Sequence, residues 1–179
     1  LMPEIAPENG QRVAGIGGGP ASLTVARDLA PLGYHVVVYD RDAAGGGMMR
    51  SQIPAFRLPE SVLNDEVERI LDFGIETRFN QEVTSLKEVL NEDFDAVFVG
   101  TGAPRGRDLN IPGREDVGEN FHIGIDWLMS VAFGHTSKIG KRVVVLGGGN
   151  TAMDCCRTAK RLGGEDVKVI VRSAFDTMK

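Results

Sequence analysis

Val13-Ala14-Gly15-Ile16-Gly17-Gly18-Gly19-Pro20-Ala21-Ser22-Leu23-Thr24-Val25-Ala26-Arg27-Asp28-Leu29, followed after a turn at Leu32-Gly33-Tyr34 by Val36-Val37-Val38-Tyr39-Asp40, decides the fold of this chain. A β-prone run feeds a glycine turn, a helix follows, and a second β run closes one βαβ unit. Gly17 and Gly19 carry no Cβ, so the backbone can turn tightly and approach a pyrophosphate, while the first helical amides and the helix dipole face its negative charge. Pro20 falls in the first helical turn, where a missing N–H costs nothing. Asp40 lies 23 residues beyond Gly17, where a carboxylate can accept hydrogen bonds from a ribose. Ser22 stands at the third position of the glycine pattern and is small enough for close helix–strand contact. The alternative is a glycine-rich turn in some other α/β protein.

Composition narrows the partners. The chain has 179 residues and a net charge of -5, which disfavours nucleic acid and anionic membrane surfaces. It is long enough for a real core, as one domain or one and a half. Cys155 and Cys156 are adjacent and cannot staple a fold, and there is no CxxC for a metal or redox dithiol. A cytoplasmic location is expected. The acidic, proline-bearing start has no basic-then-apolar pattern of a signal peptide, and the run Val143–Leu146 is too short for membrane insertion. Glycine supplies 23 residues, nearly twice the usual ~7%, clustered at turns.

Residues 1–11 read as a disordered or extended lead-in. After Asp40, Arg41-Asp42-Ala43-Ala44-Gly45-Gly46-Gly47-Met48-Met49-Arg50 is a loop whose glycines permit a second close backbone approach to the same ligand; a plain surface loop is the alternative. Two prolines are expected to hold Ser51–Pro59 extended. Apolar spacing predicts a helix over Glu60–Phe73, stopped by Gly74. A strand is expected over Ile75–Phe79 and a short helix or turn over Ser85–Leu90. Phe94–Ala103 reads as a central parallel strand covered on both faces and ending in the small residues Gly100-Thr101-Gly102-Ala103. Asn110–Gly113 is a turn, and Ile123–Phe133 is predicted helical with Trp127 and Leu128 in the core.

Lys141–Asp154 repeats the device. The run Val143-Val144-Val145-Leu146 feeds Gly147-Gly148-Gly149-Asn150-Thr151-Ala152, a helix is expected to about Leu162, and the strand Val167–Val171 follows. Where the first unit ends in Asp40, this one presents Arg172, a cation suited to a 2′-phosphate that a carboxylate would repel; a solvated strand-end charge is the alternative. Cys155 and Cys156 on this helix read as small hydrophobes. Two nucleotide-binding units imply two dinucleotides side by side, and the common reason is hydride passing from a nicotinamide to a flavin.

On these motifs the chain resembles the flavin-dependent pyridine nucleotide oxidoreductases with two dinucleotide-binding domains, in the branch containing the glutamate synthase small subunit and the related part of dihydropyrimidine dehydrogenase. The broad likeness rests on Gly17, Gly19, Asp40, Thr101, Gly102, Gly147 and Gly149. The narrower one rests on Ile53-Pro54-Ala55-Phe56-Arg57-Leu58-Pro59, Ile111-Pro112-Gly113 and Gly147–Asp154. The resemblance implies an α/β fold: a Rossmann-like FAD-binding domain over residues 12–122, a connecting segment 123–140, and the first βαβ part of a Rossmann-like NAD(P)-binding domain over 141–179, apparently truncated. It implies FAD at Gly17, Gly19, Asp40, Gly46, Arg50 and Thr101, and NADPH, with NADH possible, at Gly149, Asn150, Thr151 and Arg172. The cofactor-binding set extends to Pro20, Ala21, Ser22, Arg41, Gly47, Met48, Ile53, Arg57, Gly102, Gly147 and Ala152. Electrons would pass to an iron–sulfur domain or a larger oxidoreductase subunit. Ser22 replaces the family's usual third glycine, and Ser173 stands where a second arginine is common.

No side chain reads as a chemical catalyst, because hydride transfer between stacked rings needs positioning and exclusion of water more than acid–base help. His122 and His135 have no companion acid at a recognisable spacing, and no metal ligand set is expected. The rival is a non-catalytic dinucleotide-binding or complex-assembly module. A dehydrogenase using only the first unit leaves Gly147–Asp154 unexplained.

Overall fold

The computed structural model describes residues 4–174; the first three residues of the expected lead-in and the last five of the expected second nucleotide-binding unit lie outside them. The chain forms two compact units, one from Leu1–Arg50 with Leu58–Ala103, the other from Ser51–Arg57 with Pro104–Lys179.

In the first unit β1 (Arg12–Ile16), α1 (Pro20–Leu29), a single 3-10 turn (Ala30–Leu32) and β2 (His35–Tyr39) form the expected βαβ. A short helix, α2 (Met48–Ser51), closes the glycine loop, which no periodicity announced. Then come α3 (Glu60–Leu71), β3 (Glu76–Arg78), α4 (Leu86–Leu90) and β4 (Ala96–Val99). The sheet is parallel in the order β3-β2-β1-β4. Strand β2 shows why: its side chains alternate, Val36 and Val38 joining Ala26, Ala30 and Ile75 on one face, Val37 and Tyr39 joining Ala14, Ile16 and Val89 on the other. A strand buried on both faces needs a continuous apolar run, and β2 has one. Leu23 of α1 packs with Leu63 and Val67 of α3. Gly74, at φ 82, ends the α3 segment as expected, and Ser85 caps α4 through the Glu88 N–H.

Two expectations, for β4 and for Ser51–Pro59, need correction. Strand β4 is an edge of this sheet, and Val99 is 54% exposed; an apolar run records a strand's own chemistry but not the number of its neighbours. The Ser51–Pro59 segment is not extended throughout, because the Arg57 N–H donates to the Pro54 carbonyl at 2.8 Å and closes a turn. Proline restrains the residue before it and leaves the residues after it free to turn. The described part of the lead-in is fastened, with the Ala6 N–H on the Pro31 carbonyl and the Asn9 N–H on that of Gly33, both at 2.9 Å.

In the second unit α5 (Gly124–Ala132) packs on α6 (Asn150–Arg161), and β5 (Arg142–Leu146) pairs in parallel with β6 (Asp166–Ile170). Trp127 and Leu128 join Cys155 and Ala159 in the core, with Val143, Val145 and Val167 of the sheet packed against them. The alternate residues Val144, Leu146 and Ile170 are exposed.

Contact between α1 and the end of β4 is tight enough to test. A Cβ on Gly100 would sit 2.4 Å from the Ser22 hydroxyl and 2.9 Å from the Phe98 ring. Gly100→Ala is expected to destabilise the protein by about 1–3 kcal/mol in chemical denaturation, and Ser22→Ala in the same chain to recover part of that loss.

Candidate dinucleotide sites

The first glycine turn is held from three sides. Gly17 donates its N–H to the Tyr39 carbonyl at 2.8 Å, tying the turn to the end of β2. It adopts φ 94, and a Cβ there would lie 2.7 Å from the Gly100 carbonyl oxygen beyond β4, so only glycine fits. The Gly18 N–H donates to Asp40 Oδ2, while Oδ1 accepts from the Asp42 N–H at 2.9 Å. A carboxylate offers about four lone-pair directions, so Asp40 braces the turn and keeps capacity for ribose hydroxyls. Burial, followed by the negative charge of Asp40, pushes the Asp42 carboxyl up.

The second glycine loop lies on this turn. The Gly46 N–H donates to the Gly18 carbonyl at 2.8 Å, and a Cβ on Gly47 would come within 2.8 Å of the Gly19 Cα. Arg50 braces the loop, with Nε on the Gly45 carbonyl at 2.8 Å, Nη2 on Asn64 at 2.7 Å and Nη1 on Glu60 at 3.2 Å. All three of its nitrogens are thus engaged within the protein. Ser22 is buried, and its Cβ lies 3.4 Å from the position a Gly15 Cβ would take. Ala21, Arg41, Met48, Thr101 and Gly102 are exposed around the turn's end of the sheet, and Arg41 stands 3.9 Å from Asp42. Ile53 is half-buried.

The second unit builds the same turn. The Gly147 N–H donates to the Ile170 carbonyl at 2.8 Å and Gly147 takes φ 126. Gly149 precedes α6 at φ -80 and ψ 175, as Gly19 precedes α1 at φ -78 and ψ 178. Neither helix start has a capping side chain or an acid in its first turn, so their first amides stay available to an anion. A Cβ on Gly149 would meet nothing within 4 Å, and one on Gly19 only the Gly47 Cα at 3.9 Å. Asn150 and Thr151 are exposed at the start of α6, and Ala152 is buried beside Gly147.

Strand register corrects one correspondence. Ile16 pairs with Tyr39 and Leu146 with Ile170, so the second unit's match for Asp40 is Val171 and Arg172 matches Arg41. The position still carries no acid. Sequence reading missed it because a strand's last residue is not marked by composition.

Sequence reading also missed Asp154. On α6 this buried carboxylate accepts from Arg57 Nη1 at 2.6 Å, and the Phe56 ring lies 4.9 Å from the Arg157 guanidinium and 3.8 Å from that of Arg161. The available signal was a lone acid on a helix stripe of Ala, Cys and Thr. Both amide atoms of buried Gln52 lack a hydrogen-bond partner among the described residues. His35 meets Glu76 at 3.0 Å, and hydrogen bonds from Arg78 and then His35 hold the Glu76 carboxyl down. Among the described residues no group of His, Cys, Asp or Glu is placed to hold a metal ion, and no helix is long and apolar enough to cross a membrane.

The pyridine nucleotide-disulphide oxidoreductase family model matches residues 11–175. The glutamate synthase [NADPH] small chain of Azospirillum brasilense is 41% identical over 92% of this chain and 37% of its own length. The NADPH-Fe(3+) oxidoreductase subunit beta of Geobacter sulfurreducens is 38% identical over 96% of this chain and 26% of its own. The chain therefore spans well under half of either relative. FprA from Mycobacterium tuberculosis, solved in complex with NADPH, superimposes with a TM-score of 0.72 over 93% of this chain and 43% of its own, at 22% identity, a likeness of fold.

Burial, followed by the nearby Asp154 charge, pushes the Cys155 thiol up to about 11 from 9.0. A group whose pKa is raised on folding contributes stability that is full below the unfolded value and lost as pH rises through the folded one. Stability is expected to fall between pH 9 and about 11, and Cys155→Ala to flatten that slope in denaturant titrations.

Proposed function

The chain belongs to the pyridine nucleotide-disulphide oxidoreductase family, and from that premise we propose that it is the dinucleotide-binding portion of a flavin-dependent enzyme oxidising NADPH. One observation carries the proposal: the same Cβ-free turn is built twice, each over a helix start whose amides are uncapped and whose ligand face is open. A dinucleotide fits both, because its pyrophosphate needs backbone donors and room where a side chain would stand.

In this reading residues 12–122 bind FAD, 123–140 connect, and the segment from 141 begins the NADPH domain. Gly17 and Gly19 face the FAD pyrophosphate, Asp40 its ribose, and the Gly45–Arg50 loop covers the turn, with Thr101 and Gly102 at the end of β4; Ser22, expected in this set, is fully buried between α1 and the sheet and serves their packing. Gly149, Asn150 and Thr151 receive the NADPH pyrophosphate. The flavin supplies acceptance of a hydride and its release as single electrons. The protein's own residues position and exclude water, and none acts as acid or base. Two relatives are named as beta subunits, of an NADPH-Fe(3+) oxidoreductase and of an NADP(+)-dependent formate dehydrogenase, which supports a partner subunit as the electron acceptor here; an iron–sulfur domain as acceptor rests on the family resemblance of the sequence motifs. Unpaired Cys155 and Cys156 suit a reducing, cytoplasmic setting.

Two predictions test this. In the full-length protein that carries this chain, a yellow preparation that bleaches with NADPH in the absence of oxygen is expected, whereas the 179-residue chain alone is expected to turn over poorly or not at all; a colourless full-length preparation that still joins a larger complex would favour an assembly module instead. Gly19→Val fills the pyrophosphate position while meeting only the Gly47 Cα, so it is expected to lose flavin while keeping its circular dichroism spectrum; unchanged flavin content would refute the assignment.

A third prediction concerns Arg172, two residues past the end of β6 and exposed, with Ser173 beside it. A charge-assisted bond to a 2′-phosphate contributes roughly 1.5–3 kcal/mol, a preference for NADPH over NADH of about tenfold to hundredfold, with Ser173 favouring the lower end. Arg172→Ala is expected to abolish that preference in titrations at fixed ionic strength. A preference left intact would return Arg172 to a solvated charge.

A further inference from the structure

We infer that Asp154 is a positioning residue: from α6 it holds the Arg57 guanidinium so that its remaining N–H groups donate to an oxygen of a bound dinucleotide. The inference rests on the dinucleotide reading above and extends it to a residue outside both glycine turns.

Four observations carry it. The Asp154 side chain is only 7% exposed and spends Oδ2 on Arg57 Nη1 at 2.6 Å, whereas the Arg57 side chain is 40% exposed. Arg57 Nε and Nη2 have no protein partner among the described residues, so a guanidinium pinned at one nitrogen presents its other donors outward. The segment that carries it is anchored independently. Its turn is closed by the Arg57 N–H to Pro54 bond, and the Phe56 ring lies against Arg157 and Arg161 of α6. The contacts also run in order along the helix, Phe56 at residues 157 and 161 and Arg57 at 154, so the segment advances toward the helix start. Asp154 and Asn150 share a face at i, i+4 spacing, about 6 Å apart along the axis. Arg57 is thereby held on the face of α6 that begins beside the open Gly149.

A buried ion pair is a weak source of stability, since desolvating two charges offsets their attraction. A half-exposed guanidinium oriented by a buried carboxylate is a preorganised receptor, because the entropy of ordering a long side chain is already spent before the ligand arrives. The ligand chemistry is a phosphate or carbonyl oxygen, and either FAD or the pyridine nucleotide can supply it.

The test measures retained flavin and NADP+ affinity separately in the holoprotein and in Asp154→Asn, Arg57→Ala and the double variant. Asp154→Asn and Arg57→Ala are expected to weaken the same dinucleotide, by roughly tenfold to hundredfold for a lost charge-assisted bond, and to leave the other unchanged. The affected ligand identifies the source of the oxygen. The double variant is expected to bind no more weakly than Arg57→Ala, because Asp154 acts only through Arg57. Additive losses, or unchanged affinities in Asp154→Asn, overturn the inference. If Asp154→Asn does not fold, Arg57→Lys decides. It keeps a cation beside the buried carboxylate and the unliganded melting temperature, but lacks the planar fork and is expected to lose affinity; wild-type affinity overturns the proposal. A wild-type protein that binds neither dinucleotide overturns the function proposed above as well. Normal wild-type binding with indifferent Arg57 variants removes this inference alone.

Discussion

The first unit depends on how closely three pieces of backbone come together at the carboxyl ends of its strands. Gly17 lies where a Cβ would be 2.7 Å from the Gly100 carbonyl, and Gly47 where one would be 2.8 Å from the Gly19 Cα. No side chain can stand at either point without moving a main chain. The turn can sit this low over the sheet only because β1 hands it directly to α1, and α1 can lie against β4 only because Ser22, Gly15 and Gly100 are small. The buried Tyr39 and Val37 below, and Leu63 and Val67 beside α1, hold the same arrangement through packing.

The second unit shows which parts of that design are general. Its turn has nearly the same dihedrals before the helix and the same bond from the first glycine to the neighbouring strand. It lacks the acid. Asp40 gives the first turn an internal acceptor for Gly18 and a negative charge at the end of β2. Val171 can supply neither, and the nearby charge is the cation Arg172. The two turns are alike in their backbone and different in the side chains that follow their second strands.

Loops in both units are held by charged groups used as braces. Arg50 spends its donors on Gly45, Glu60 and Asn64, fixing a loop that its glycines would otherwise leave free. Asp154 does the same for Arg57 from the opposite sign of charge, with Phe56 against two arginines as a second anchor. Such braces limit the entropy that a bound nucleotide would otherwise have to remove.

Both βαβ units, the helix over Glu60–Leu71 and the core places of Trp127 and Leu128 were legible in the amino-acid sequence, because each follows from local chemistry: apolar runs, helical periodicity, and glycine where no Cβ fits. The glycines of both turns and Asp40 were legible from their spacing along the chain, between one β-prone run and the next. Tertiary structure alone decided the rest. The edge position of β4 depends on how many strands surround it. The match of Val171 rather than Arg172 to Asp40 depends on strand register, which is set between chains of residues far apart. The turn at Pro54–Arg57, the bracing role of Arg50 and the pairing of Arg57 with Asp154, 97 residues away, depend on which side chains folding brings within hydrogen-bond reach. A residue's own neighbours in the chain carry its conformational preference, but the partner of a buried charge is chosen only when the elements pack.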